Sequence, residues 1–90
     1  MEEVMLLLGE RVKYLRRLKN LTQAQLAEKV DLSVNYISQI ETGVAAPTLK
    51  TLFALAQALD VEIKELFDFG HPTRMSRKKR EQDRGKKGTE

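Results

Sequence analysis

The segment Ser33-Val34-Asn35-Tyr36-Ile37-Ser38-Gln39-Ile40-Glu41-Thr42 concentrates short amide and hydroxyl side chains in a chain that is 32% charged. On a helical wheel of about 100° per residue with Ile37 at the origin, Ile40 falls near 300° and Glu41 near 40°. Those three define an inward side. Asn35, Ser38, Gln39 and Thr42 lie opposite, between roughly 100° and 200°. That outward face carries no charge, whereas an ordinary solvated face more often holds Lys or Glu. Asn, Gln, Ser and Thr each donate and accept hydrogen bonds, which is the chemistry that matches base edges in the major groove of duplex DNA.

Other chemistry is poorly supplied. The chain has no cysteine, hence no disulfide framework and no thiolate ligand or nucleophile. His71 is the single histidine, and one histidine without cysteine partners cannot complete a zinc site. No nucleophile–base pair and no phosphate-cradling loop can be assembled, so the expectation is a non-enzyme without metal or cofactor. Met5-Leu6-Leu7-Leu8 is too short for a signal segment and follows Glu2 and Glu3, where basic residues would be needed. Nothing approaches the ~20 apolar residues of a membrane span. The expectation is a soluble, cytoplasmic chain.

Five helices must position the uncharged face, and the class is all-α. The first is predicted from about Glu3 to Lys19, with Val4, Leu8, Val12, Leu15 and Leu18 on one stripe and Asn20 as its stop. Thr22 and Gln25 form a capping box at the head of a second helix that ends near Val30. Ser33 caps the third, Val34 to Thr42, which Gly43 terminates. Pro47 and Thr48 open a fourth, whose Leu49, Leu52, Phe53, Ala56 and Leu59 are placed on a common face, and a short fifth runs from Glu62 to Phe67.

The second and third helices are joined by only Asp31-Leu32-Ser33, which forces a sharp corner. Ala27 permits the close approach there, and Asp31 is placed where the chain turns through positive φ. The domain is expected over residues 1–70, with the helical corner at about 23–42 and a flexible basic tail at 71–90. Residues 1–70 hold eight Lys or Arg against ten Asp or Glu, a balance of −2. The tail holds eight against three, a balance of +5.

Leu21-Thr22-Gln23, Leu26-Ala27, Ser33 and Tyr36-Ile37-Ser38-Gln39-Ile40-Glu41-Thr42-Gly43 together resemble the Cro/phage-repressor-type (XRE) helix-turn-helix family. The similarity runs from about Leu8 to Phe67. It implies a five-helix, lambda-repressor-like domain that binds operator DNA as a homodimer, with the third helix in the major groove. On that resemblance Val34, Asn35, Ser38 and Gln39 meet base edges. Gln23 contacts a phosphate at the start of the second helix, while Ser33, Tyr36, Thr42 and Lys50 position the domain on the sugar-phosphate backbone. Arg16 is implied as the ion-pair partner of Glu41.

Two departures stand out. The turn residue is Asp31 where the family most often has Gly. The third helix also lacks arginine, so adenine contacts from Asn35 or Gln39 and a thymine-methyl contact from Val34 are expected rather than guanine readout. A second reading of the same fold is a protein-interaction module, such as an antitoxin or a bridging adaptor. The apolar Met1–Leu8 segment and the Phe67/Phe69 pair favour an added protein contact.

Overall fold

Three of the helices begin at a side chain, that of Thr22, Ser33 or Thr48, that accepts a backbone N–H. The computed structural model describes residues 2–70, which form four α-helices and one 3₁₀ helix. The first, α1, spans Glu2–Leu18, with Glu2 and Glu3 in its first turn and Arg16 and Arg17 in its last. That charge order complements the helix dipole. Asn20 then adopts φ 59°, and the Leu21 N–H returns to the Arg16 carbonyl at 3.1 Å.

The second helix, α2, spans Gln23–Val30. Thr22 Oγ1 accepts from the Gln25 N–H at 3.0 Å while Gln25 Oε1 accepts from the Thr22 N–H at 2.8 Å, so the capping box is closed from both sides. Asp31 ends α2 in the left-handed region at φ 58°, ψ 46°. The third, α3, spans Val34–Glu41 with Thr42 as its C-cap, followed by Gly43 at φ 80°. The fourth, α4, spans Leu49–Ala58 behind Thr48, whose side chain accepts from the Thr51 N–H.

The core is one cluster built from every element. Leu8, Val12 and Leu15 of α1 meet Leu26 and Ala27 of α2 and Ile37 and Ile40 of α3. Leu52, Leu55, Ala56, Leu59 and Leu66 close it from the C-terminal half. The α1 helix packs on α3 and on the 3₁₀ helix, and α2 lies between α3 and α4. Arg11 stitches the C-terminal segment to α1: its Nε donates to the Glu65 carbonyl at 2.8 Å, and its guanidinium sits 5.3 Å from the Tyr14 ring centre.

Several expectations about packing need correction. The predicted fifth helix is a 3₁₀ helix, Ile63–Phe67. Five residues are too few for a regular α-helical ladder, Glu62 provides no side-chain cap, and the Glu65 N–H closes on the Glu62 carbonyl three residues back. The α1 stripe is buried only in its middle: Val4 and Leu18, at its two ends, are exposed. On α4 the buried set is Leu52, Leu55, Ala56 and Leu59, which share one face, whereas Phe53 falls about 100° round from Leu52 and is 54% exposed. Leu49, the first residue of α4, is 65% exposed. The predicted basic tail, 71–90, lies outside the described residues.

Candidate nucleic-acid interface

The α3 helix is held by its inner face and left open on its outer one. Ser33, extended at φ −78° and ψ 154°, accepts the Tyr36 N–H at 3.0 Å and starts the helix. Ile37, Ile40 and Glu41 are buried, while Val34, Asn35 and Thr42 are exposed and Tyr36, Ser38 and Gln39 are half-buried. Among the described residues, the side chains of Asn35, Ser38 and Gln39 have no hydrogen-bond partner. Their donors and acceptors are free for a ligand. Thr42 differs, since its hydroxyl donates to the Ser38 carbonyl at 2.9 Å. Tyr36 rests against the core cluster, so its ring contributes to packing as well as to the surface.

Beneath α3 lies a buried polar knot. Arg16 Nε donates to Glu41 Oε2 at 2.6 Å, and Arg16 Nη2 donates to Glu41 Oε1 at 3.1 Å. The third arginine nitrogen, Nη1, donates to the Leu21 carbonyl at 2.7 Å, fixing the segment that leads into α2. Glu41 sits in the last turn of α3, where a carboxylate opposes the helix dipole. A bidentate arginine offsets that and satisfies both oxygens. Gln23 joins the same knot, its Nε2 donating to Glu41 Oε1 at 3.0 Å. Three helices are thus tied at one carboxylate.

Beside the knot α1 and α3 touch backbone to backbone. A Cβ added at Gly9 would lie 2.6 Å from the Glu41 carbonyl oxygen and closer still to that of Ile40. Only glycine lets α1 cross the last turn of α3 at this distance. Lys50 is exposed on α4 and borders a shallow cleft with Val30, Asp31 and Leu32, which places it beside the α2–α3 turn.

A model of the family described as Helix-turn-helix matches residues 12–66, more than half of the chain. The chain belongs to the helix-turn-helix family. It is 43% identical over 58 residues to the immunity repressor protein of Bacillus phage phi105, covering 64% of this chain and 40% of that protein. It is 39% identical over 67 residues to the control protein C.BamHI of Bacillus amyloliquefaciens, covering 73% of this chain and 83% of the relative. The chain therefore spans less than half of the first of these relatives and most of the second. The fold also superposes on the restriction-modification controller protein C.AhdI of Aeromonas hydrophila with a TM-score of 0.69 and 36% identity, over 70% of this chain and 96% of that one.

In this helix-turn-helix chain, α2 is the supporting helix and α3 the exposed one. The residues singled out from the sequence fall into three places. Asn35, Ser38 and Gln39 share the outer face of α3, with exposed Val34 at its first turn and Ser33 and Thr42 at its ends. Gln23 stands at the head of α2, engaged with Glu41, and Lys50 lies apart on α4. Gly9 and the Gln23–Glu41 bond escaped the sequence reading. A glycine inside an otherwise good helix former costs ~1 kcal/mol and marks a packing reason, so Gly9 carried a usable signal. The Gln23–Glu41 bond carried none, since its partners are 18 residues apart. Among the described residues no helix is long and apolar enough to cross a membrane.

Proposed function

We propose that this helix-turn-helix chain is a sequence-specific regulator of transcription, a repressor that lays α3 into the major groove of double-stranded operator DNA. The observation that carries the reading is the outer face of α3, where Asn35, Ser38 and Gln39 hold unspent donors and acceptors and no charge. Such a face discriminates base edges rather than gripping phosphate. Val34, Asn35, Ser38 and Gln39 form the reading set. Gln23, Ser33, Tyr36 and Lys50 form the backbone-positioning set, which Thr42 joins on releasing its bond to the Ser38 carbonyl. The names of the phage repressor and of the control proteins support regulation of transcription.

One such domain reads only a few base pairs, so a homodimer reaching two half-sites about 34–36 Å apart is part of the proposal. Phe67, 42% exposed and in edge contact with Phe69 at 6.0 Å, is the candidate dimer surface. Exposed Leu6 on the first turns of α1 is the alternative.

Selection of binding sites from a random duplex pool, at stated salt, tests the reading directly. An enriched motif is expected, with two similar halves. Asn35→Ala and Gln39→Ala should each weaken binding to the selected site by about 1–3 kcal/mol and relax preference at one or two positions. Equal losses on selected and random DNA would move both residues from base readout to phosphate contact.

A further inference from the structure

Gln23 is the first residue of α2, and its side chain is held from inside the protein. Glu41 Oε1 accepts both Gln23 Nε2 at 3.0 Å and Arg16 Nη2 at 3.1 Å, and the Glu41 side chain is only 1% exposed. An ionised carboxylate is an acceptor only. It therefore dictates which end of the Gln23 amide turns inward: the nitrogen faces Glu41, because the oxygen would meet it acceptor to acceptor. What Gln23 keeps for a ligand is one Nε2 proton and the Oε1 acceptor, and of the two only the N–H suits an anionic oxygen. The backbone N–H groups of Gln23 and Ala24 lie beside it, and first-turn amides have no intrahelical acceptor. The Gln25 N–H is already taken by Thr22 Oγ1.

The geometry points to Glu41 as a positioning residue for DNA docking: held by Arg16, it orients the Gln23 amide so that its free N–H aims at a backbone phosphate. The inference rests on the phosphate role proposed above for Gln23. Its consequence is mechanical. Glu41 belongs to α3 and Gln23 to α2, so seating Gln23 on a phosphate also sets the depth of the reading helix. The contact that grips and the helix that reads become one hydrogen-bonded unit, fastened to α1 through Arg16. A hydrogen-bonded amide also arrives pre-ordered, so less rotamer freedom is lost when DNA binds.

A double-mutant cycle separates this role from plain structural support. Gln23→Ala is compared in the native background and in Arg16→Met/Glu41→Leu, which replaces the ion pair by apolar side chains and avoids stranding one buried charge. The probes are a duplex selected from a random pool and a random-sequence duplex of equal length. In the native background Gln23→Ala should weaken both by about five- to tenfold. The log–log salt slope should not change, because a neutral amide displaces no counterion. In the apolar background the same substitution should cost less than about twofold, since Gln23 is no longer oriented. Equal losses in both backgrounds would overturn the positioning role and leave the phosphate contact standing. No loss in either would remove the phosphate contact itself, and the inference with it.

Amide exchange in the native chain is a second measurement that needs no folded double variant. One Gln23 Nε2 proton should be protected in the free protein, and its partner only after duplex is added. Equal exchange of the two protons in the free protein would also overturn the role.

Discussion

Gly9 and the Arg16–Glu41 pair decide, side by side, how closely α1 supports α3. At Gly9 the neighbours of an added methyl group are backbone carbonyls, which cannot rotate aside. Gly9→Ala should therefore lower stability, with an overpacking cost of about 1–3 kcal/mol only partly offset by the better helix propensity of Ala. Urea titration followed by circular dichroism checks it, and a stabilised variant would show that α1 can slide off α3 freely. The ion pair fails differently. Arg16 and Glu41 are both buried, so Arg16→Ala or Glu41→Ala alone leaves an uncompensated charge and should cost ~3–5 kcal/mol. The same titration reads this out, and losses below about 1 kcal/mol would mean the pair behaves as an exposed one.

At the scale of elements, helix ends carry most of the information. Asn20, Asp31 and Asp60 all adopt positive φ, and Gly43 does so after α3. Asn and Asp tolerate that region better than other side chains, yet glycine is easier still. Asp31 occupies the corner that sets the angle between α2 and α3, and its N–H closes on the Ala27 and Glu28 carbonyls. Asp31→Gly should raise stability by about 0.5–1 kcal/mol, visible as a higher thermal midpoint with unchanged DNA preference. A lower midpoint would show that the aspartate does more at the corner than adopt its φ. The 3₁₀ helix is a weaker element. It lacks a side-chain cap and is held by Leu66 in the core and by Arg11 on the Glu65 carbonyl.

Charge belongs to the whole molecule. Residues 1–70 balance at −2, so the domain by itself offers little net attraction to a polyanion, and residues 71–90 bring +5. Lys and Arg near duplex DNA release condensed counterions irrespective of sequence. Deleting residues 74–90 should weaken binding to selected and random duplexes by similar factors and leave the selected motif unchanged. If three tail charges make contact, the log–log salt slope should flatten by about 2.7. A truncated chain with an unchanged slope would assign the electrostatic attraction to Lys50 and the other basic residues of the domain. Dimerisation is read at the same scale: footprints covering both half-sites at saturation are expected, and protection of a single half-site would count against the Phe67 surface.

Local signals were legible in the sequence because their physics is local. The Thr22–Gln25 box, the Ser33 cap, the stop at Asn20, the left-handed turns at Asp31 and Gly43, and the inward set Ile37, Ile40 and Glu41 each depend on residues within a turn or two. The all-helical class and the helix-turn-helix corner followed from them. Burial was less legible. The spacing of Val4 and Leu18 is right for a core stripe, yet both are exposed at the two ends of α1. Phe53 looks like a core residue by type, and its angle from the Leu52–Leu55–Ala56 face decides otherwise. The 3₁₀ form of the last element goes with its five-residue length and the lack of a side-chain cap at Glu62. Tertiary structure alone decided that Gly9 meets α3 and that Glu41 holds Gln23, because each contact joins helices whose relative placement no local spacing encodes.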